Sequence, residues 1–369
     1  MALIAFNNEQ KMLESEIRKF SKTELEPIAD EIDKKGVFPV EIMKKLSDLG
    51  LSSLIIPEVY GGAGLDTTCL CVVLEELSKV CASISTILLV NNCLVAFPLM
   101  KFAPEKIKKC YLPKLTQGEI GACSTELGID LPEKSISIRE TDEKLSISGE
   151  QDFVLNGETA RFVLLPVPSS SSKALYIVDN SPHIQVIKHH ILGLRAAGIV
   201  QYRFSNLNIT ADACLLDGKE AEDALMQILH YTHIGFSAIS LGIAEAAYEV
   251  SIKYSKERRQ FGRAICEFPM IQEMLVDMKS RIEAARLLTY NAAADYDRGD
   301  ASRLSANIAR LQSGEAAVYA GIKAVQVHGG YGYIKDYPVE RFLRDAKAIQ
   351  ILCETPNDIK SSIAKEILV

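Results

Sequence analysis

The spacing of apolar residues changes twice along this 369-residue chain, and the two changes constrain its fold more than any other feature. The first 118 residues carry apolar side chains at helical spacing. Residues 119–217 instead contain short β-type runs separated by Gly, Pro, Ser and Asn. Helical spacing then returns and continues to the end. We therefore predict three domains, with the bounds 1–118, 119–217 and 218–369.

Apolar residues in the predicted helices follow one face of each helix. Within one segment, Leu275, Met278, Ile282 and Ala285 recur at steps of three and four residues, which is the pattern of an amphipathic helix. Long helices joined by short connections pack as antiparallel neighbours, so we expect a four-helix bundle in the C-terminal domain. The predicted helices are Glu9–Glu24, Val40–Leu49, Thr67 to about Leu99, Glu105–Leu115, Leu225–Lys256, Glu273–Ala294 and Ala301–His328.

The middle region is predicted to be a small β domain of the barrel-like or sandwich type. Its apolar runs are short, and turn-forming residues separate them. The tract Ser169–Ser172 is predicted to be a hairpin loop on the surface. The whole chain is therefore expected to be an α+β protein. The predicted strands are Leu145–Ser148, Phe153–Leu155, Phe162–Val167, Ala174–Val178, Gln185–His189 and Val200–Phe204.

Charge and cysteine content narrow the possible functions. A net charge of −7, from 41 basic and 48 acidic residues, argues against a nucleic-acid surface. Polar residues interrupt the apolar stretch Ile84–Leu99, so we expect a buried core helix rather than a membrane span. The nine cysteines are scattered, and Cys69 with Cys71 is too small a group for a metal site. A reduced, cytoplasmic protein without a metal is expected.

The C-terminal segment Gln326–Ile359 carries the strongest functional signal. There Glu354 follows the apolar run Ile349–Cys353, and a carboxylate in such a place is costly unless it is exposed, paired or used in chemistry. The segment resembles the C-terminal signature of acyl-CoA dehydrogenases. IPEVYGGAGLD at Ile56–Asp66 and KERRQFGRAICEFPMIQEMLVDM at Lys256–Met278 are similar to two further signatures of that family.

The resemblance implies an FAD enzyme that oxidises a short acyl thioester. Leu74–Ser83 and Val90–Leu94 are similar to butyryl-CoA-type members. Glu354 would remove the α-proton of the thioester, while the flavin takes a hydride from Cβ. Electron-transfer flavoprotein is the implied electron acceptor. From spacing alone, a surface glutamate near a helix end would be the likelier interpretation of Glu354, and the family segment around it reverses that preference.

The resemblance also assigns residues to the flavin, from both sides of a subunit interface. Thr125 would meet the ring edge in its own chain. Arg258 would pair with the pyrophosphate of a neighbour's flavin, because a guanidinium donates two parallel hydrogen bonds. A solvated helix end for Arg258 and a plain helix stop for the glycines are the alternatives. The assigned residues are Thr125, Arg258, Phe261, Gln326, Gly329 and Gly330.

Several positions depart from the family pattern. The family's T-E-P-G-x-G-S-D becomes Thr125–Asp130, without the proline, the last glycine or the serine. A flavin-flanking tryptophan aligns with Arg161, and a ring-contacting threonine aligns with Val163, which cannot donate a hydrogen bond. Residues of the same chain around the flavin are thus eroded, whereas the residues supplied to a neighbour are retained.

The substrate site departs as well. An Asp and an Arg that hold coenzyme A in the family align with His230 and His233. These histidines suggest a changed thiol carrier, or are simply two polar residues on a helix face. Thr355 replaces the glycine that follows the base, which adds a Cβ and is expected to reshape the acyl pocket.

Three functions stay open on this basis. The first is a working short-chain acyl-CoA dehydrogenase, as a homodimer or homotetramer. The second is a partner subunit in a hetero-oligomer that completes a neighbour's FAD site. The third is a biosynthetic relative, redox or non-redox, that acts on an acyl group bound to a carrier protein or on an unusual CoA thioester.

Overall fold

The N-terminal region folds into helices, as the spacing predicts. The computed structural model describes residues 6–127, 136–141, 144–169 and 172–368. Two π-helical segments, Ser21–Leu25 and Val90–Ala96, extend the neighbouring α-helices. The α-helices of this region are α1 (Asn8–Phe20), α2 (Ala29–Lys35), α3 (Val40–Asp48), α4 (Thr67–Ser78), α5 (Ala82–Leu89), α6 (Phe97–Phe102) and α7 (Glu105–Thr116).

The apolar stretch Ile84–Leu99, which was predicted to be a buried core helix, forms a buried helix in the structure. The continuous helical segment Ala82–Phe102 is the single helix among the described residues that is long and apolar enough to cross a bilayer, yet 94% of its apolar window is buried inside the protein. Asn92 is wholly buried within it and accepts a hydrogen bond from the backbone N–H of Ile55. Buried polar groups of this kind need partners, and this one ties the helix to the preceding loop.

The middle region is one mixed sheet of eight strands, in the order β6-β7-β3-β1-β4-β5-β8, with β2 paired to β3. All pairs are antiparallel except β1 with β4. Some of its apolar side chains form a core of their own, while others, among them Leu155, Leu164 and Ile177, pack into the core of the helices. The strands are β1 (Gly121–Ser124), β2 (Ile136–Thr141), β3 (Lys144–Leu155), β4 (Phe162–Ser169), β5 (Ser172–Asp179), β6 (Ile184–Lys188), β7 (Val200–Ile209) and β8 (Cys214–Asp217).

The sheet contains more than the spacing predicts. Two predicted runs merge into β3, whose pairing with β7 shifts register twice. Such irregularities interrupt the alternation of side chains that reveals a strand in a sequence. β1, β2 and β8 were not predicted, because runs of four to six residues with little alternation carry a weak signal.

The C-terminal region is a helical bundle built around α8, a helix of 40 residues. A small hairpin, β9 and β10, connects α8 to α9. The N- and C-terminal helices share one continuous apolar core. The elements are α8 (Gly218–Glu257), β9 (Arg259–Gln260), β10 (Arg263–Ala264), α9 (Pro269–Asp297), α10 (Arg303–His328), α11 (Val339–Ile351) and α12 (Pro356–Ile367).

Polar contacts lock the two helical regions together. The Asp297 carboxylate, at the end of α9, accepts backbone hydrogen bonds from Thr67 at 2.7 Å and Thr68 at 3.0 Å. It therefore caps the N-terminus of α4, where unpaired N–H groups need acceptors. Deeper inside, buried Glu75 on α4 pairs with Arg286 and accepts a hydrogen bond from Tyr290 on α9. The bundle consequently holds a fixed position against the N-terminal helices.

Candidate active site

Glu354 lies in the short connection between α11 and α12, and both ends of that connection are fixed. Cys353 has a φ of 66°, a left-handed conformation that turns the chain sharply after α11. On the other side, the Thr355 hydroxyl donates to the Asp358 carboxylate at 2.6 Å, as the N-cap of α12. The Glu354 side chain is 17% exposed. The connection therefore presents one carboxylate from a backbone of defined shape.

The Glu354 carboxylate faces a buried histidine. His233 lies in the interior of α8 and is fully buried, and its Nε2 lies 3.1 Å from Oε2 of Glu354. Its Nδ1 lies 3.0 Å from Oδ1 of Asn307 on α10. The Asn307 amide in turn donates to Oγ of Ser362 on α12 at 3.0 Å. Three helices thus contribute side chains to one row of polar groups that ends at Glu354. We call these four residues the Glu354 row.

A buried arginine supports the backbone just before Glu354. Arg310 on α10 is 1% exposed and donates hydrogen bonds to the carbonyl oxygens of Ile349 and Leu352, at the end of α11. Its guanidinium lies 4.7 Å from the ring centroid of Phe236. Burial lowers the pKa of Arg310 to about 10, against the opposing influence of Cys353 and Glu354. A cation at a helix C-terminus satisfies carbonyls that have no partner in the helix.

A pocket of about 300 Å³ opens between the sheet and α11. We call it the Thr125 pocket. Its walls are mostly apolar, and it reaches Cys353, the neighbour of Glu354. A mostly apolar pocket with a few polar groups is typical of a ligand site. Its lining residues are Thr125, Phe153, Ile191, Leu192, Gly193, Leu194, Ile199, Arg344, Lys347, Ala348, Ile351, Leu352 and Cys353.

Two of the departures from the family pattern lie away from this pocket. Val163 is 1% exposed in β4, inside the core of the sheet, so the loss of a hydroxyl at this position removes no donor from the Thr125 pocket. Arg161 is exposed, and its backbone pairs with Ile120 and Asn180. Both positions therefore lie outside the lining of the Thr125 pocket, and the loss of a flavin contact at them stays a prediction.

The remaining departures have different outcomes. Gly128, Ile129 and Asp130 lie outside the described residues. Asn156, in the eroded N-G signature, is wholly buried, and its amide donates to the carbonyls of Ile87 and Gly121. It therefore joins the sheet to the N-terminal helices, which is a structural role.

A second, larger groove of about 900 Å³ lies around the β9–β10 hairpin. We call it the Arg258 groove, and it shares no lining residue with the Thr125 pocket. The exposed Arg258 guanidinium lies 5.5 Å from the ring centroid of Tyr331. Phe261 is 93% exposed at the hairpin tip. Phe261 and Gly262 have positive φ angles of 52° and 82°, which a tight two-residue turn requires. An aromatic ring so exposed indicates a contact surface.

Glycines leave room for a ligand in the Arg258 groove. Gly329 has a φ of 59°, and a Cβ added to Gly329 or Gly330 would meet nothing within 4 Å. Gly332, by contrast, packs directly against the backbone of Val325, so its small size serves packing. Gln326 is exposed on α10, one turn before Gly330. An arginine beside open glycines provides the donors and the close backbone approach that a dinucleotide phosphate needs. The residues present therefore fit FAD.

The predicted substrate residues lie in different surroundings. His233 contacts Glu354, as described above. His230, one turn earlier, is 8% exposed, and its ring centroid lies 6.1 Å from that of His233. Burial lowers the pKa of His230 to about 3, with His233 and Arg303 acting in the same direction. Thr355 caps α12. Their substrate-binding roles stay predictions.

Sequence reasoning missed several residues that shape this site. Asn307, Arg310 and Ser362 reach Glu354 only through the packing of separate helices, and the segment Ile191–Leu194 enters the Thr125 pocket from a loop. One signal was present in the sequence: Arg310 lies on the apolar face of a predicted helix. Arginine is almost never buried without a partner, so this position indicates a buried contact.

Comparisons with known proteins agree with this geometry. The model of the acyl-CoA dehydrogenase N-terminal domain matches residues 7–119, and that of the C-terminal domain matches residues 223–368. An acyl-CoA dehydrogenase of Bacillus subtilis is 37% identical, with 98% of each chain covered. Butyryl-CoA dehydrogenase from Megasphaera elsdenii superposes with a TM-score of 0.93 at 28% identity, covering 99% of this chain and 100% of that one.

A relative described as a prolyl acyl carrier protein oxidase, AnaB, is also similar. It has a TM-score of 0.92 at 25% identity, and covers 99% of this chain and 100% of its own. The resemblance that the sequence suggested is confirmed, as is the three-part fold. The chain belongs to the acyl-CoA dehydrogenase family of FAD-dependent oxidoreductases.

Proposed function

We propose that the protein oxidises a short acyl thioester to the 2,3-enoyl thioester, with Glu354 as the base. One observation carries this proposal: a single, partly buried carboxylate, held by a defined turn, lies next to the Thr125 pocket. A base must reach the proton that it removes, and a rigid backbone keeps it within that reach.

The reaction divides between the protein and its cofactor. The α-hydrogen of a thioester becomes acidic when hydrogen-bond donors polarise the carbonyl. Glu354 takes that proton, and the electrons of the broken Cα–H bond form the new double bond. Bound flavin supplies the two-electron acceptor for the hydride that leaves Cβ. Apolar walls exclude water from the reacting atoms.

Two separate sites of the chain would hold the cofactor. Thr125 and the apolar walls of its pocket suit the flavin ring, and a volume of about 300 Å³ is enough for a ring system but not for a whole dinucleotide. Arg258, Phe261, Gly329 and Gly330 suit the phosphates and the adenosine end. Because the Thr125 pocket and the Arg258 groove share no lining residue, the groove of a second copy of the chain would complete each site, in a homo-oligomer.

The thiol carrier and the electron acceptor follow the family. Coenzyme A is the proposed carrier, and electron-transfer flavoprotein is the proposed acceptor. The similarity to a carrier-protein oxidase keeps a carrier-bound substrate as the second candidate. The contact of His233 with Glu354 leaves this histidine fewer free atoms for the carrier, and so favours the first candidate.

Replacement of the base tests the proposal. Glu354→Gln keeps the size of the side chain and removes its basicity, so reduction of bound FAD by butyryl-CoA is expected to slow by about 10³-fold. The flavin content should not change. Anaerobic stopped-flow absorbance at the flavin bands measures the rate. The matched control is Glu315→Gln, which removes a carboxylate that pairs with Lys360 at the surface.

Two results would contradict this function. A Glu354→Gln variant that reduces its flavin at the wild-type rate would remove Glu354 from the chemistry. A wild-type protein that is colourless alone and binds FAD only with a homologous subunit would favour the partner-subunit function instead. Reduction by a butyryl carrier protein, but not by butyryl-CoA, would change the proposed substrate.

A further inference from the structure

His233 occupies an unusual position for a histidine. It is fully buried in the interior of α8, and its Nε2 makes no aligned hydrogen bond within the described part of the chain, although Oε2 of Glu354 lies 3.1 Å away. A buried polar atom without a bond is costly and needs an explanation. A role in the reaction of the neighbouring carboxylate would provide one.

The tautomer of His233 follows from its other nitrogen. Oδ1 of Asn307 is an acceptor and lies 3.0 Å from Nδ1, while the amide of Asn307 donates to Ser362. With the Asn307 amide in this orientation, Nδ1 carries the proton, because the partner of one ring nitrogen sets the state of the other. In the neutral ring, Nε2 is then a bare acceptor that faces a carboxylate.

Two acceptors cannot form a hydrogen bond unless one of them carries a proton. A proton taken up by Glu354 would supply it. We propose that His233 is a positioning residue for Glu354, and that its Nε2 accepts a hydrogen bond from the protonated carboxyl group formed when Glu354 takes up the α-proton. This role rests on the proposed function of Glu354. Asn307 and Ser362 hold the histidine in the required tautomer.

The step balances without any further reagent. The Cα–H bond breaks, its proton binds the Glu354 carboxylate, and its electron pair forms the double bond to Cβ. The hydride from Cβ goes to the flavin that the proposed function already requires. A ring lone pair points where a ring N–H would point, so the Glu354 carboxyl group rotates into line with Nε2 for its new O–H to donate there. The rotation converts a contact without a hydrogen bond into one with a hydrogen bond.

Other charged and titratable groups lie near His233 and Glu354 or act on their neighbours. His230 precedes it on α8, Arg310 lies behind it on α10 and acts electrostatically on both Cys353 and Glu354, and Arg303 acts on His230. Burial raises the pKa of the Cys353 thiol to about 12, so this neighbour stays neutral. Glu354 is the group whose proton Nε2 is placed to share.

Nuclear magnetic resonance of the ring nitrogens tests the proposal without any turnover. In protein with ¹⁵N-labelled histidine, the ring signals that disappear in the His233→Gln variant are those of His233. We expect the Nδ1–H tautomer for neutral His233, with a bare Nε2. In Glu354→Gln, the new amide can donate to Nε2, so the Nε2 signal should move towards that of a hydrogen-bonded acceptor. A neutral ring with a bare Nδ1 and a protonated Nε2 would overturn the proposal.

Kinetics separate this role from simple packing. His233→Phe keeps a ring but offers no acceptor, so the limiting rate of flavin reduction should fall about tenfold or more. The Kd of the thioester and the flavin content should change far less. His233→Gln, whose amide oxygen can face Glu354 while its N–H₂ donates to Asn307, should recover part of the rate. Equal rates in the Phe and Gln variants would contradict the acceptor role.

The proposed function and the role of His233 can be disproved separately. If the wild-type protein reduces its flavin and Glu354→Gln does not, the proposed function stands whatever the His233 variants do. If His233 has the Nε2–H tautomer in that active protein, only the role of His233 is wrong. If no thioester reduces the wild-type flavin, the proposed function fails first, and the tautomer becomes a structural property alone.

Discussion

Glu354 and the Arg258 groove both lie in segments that resemble family signatures, but the protein supports them in opposite ways. Around Glu354, side chains from α8, α10 and α12 contact one another, and Arg310 and His233 are almost fully buried. In the Arg258 groove, Arg258 and Phe261 are exposed, and the glycines border open space. One region holds a carboxylate in a packed setting, and the other borders open space.

We propose that this difference underlies the uneven retention of family residues. The Arg258 groove depends on a few exposed residues that would contact a ligand, so each would either match the family or lose its role. The surroundings of Glu354 depend on a packed set, in which one change can be compensated by a neighbour. Together, His233, Asn307 and Ser362 form a packed set of this kind.

The largest expected difference between the two regions concerns stability. Arg310→Ala should lower the free energy of unfolding by about 3 kcal/mol, because it removes the partner of two carbonyls and leaves a cavity. Arg258→Ala, the matched truncation in the groove, should change it by less than about 0.5 kcal/mol, since exposed positions contribute little. Chemical denaturation of the flavin-free proteins measures both. Similar losses of unfolding free energy in the two variants would show that the two regions do not differ in this way.

A smaller effect concerns acid sensitivity. Burial lowers the pKa of His230 from 6.5 to about 3 in the folded protein, so the unfolded chain binds a proton that the folded chain refuses. His230 therefore supports stability fully above pH 6.5, and this support is lost as the pH falls towards 3. The loss should be on the order of 2 kcal/mol by about pH 5.

Comparison of variants isolates the contribution of His230. His230→Gln should flatten the fall in stability between pH 6.5 and pH 4 relative to the wild type, in denaturation curves collected at several pH values. His183→Gln, at an exposed position, is the control and should leave the fall unchanged. An identical slope in wild type and His230→Gln would show that the folded protein binds this proton freely.

How far the sequence could predict this molecule depends on the range of the contacts involved. The order of helices, sheet and bundle follows from local spacing, and the site of Glu354 from a continuous signature. The Glu354 row joins residues 233, 307, 354 and 362, and no local pattern relates them.

Complementation between two variants tests the central claim most directly. A hybrid oligomer is prepared from Glu354→Gln chains and Arg258→Glu chains with different affinity tags. If a second copy completes each site, one site of every such pair has both an intact Glu354 and an intact Arg258. The hybrid should then show about half of the wild-type rate per pair, although each parent variant is almost inactive. A hybrid no more active than its parents would contradict the claim that copies of this chain complete one another's flavin sites.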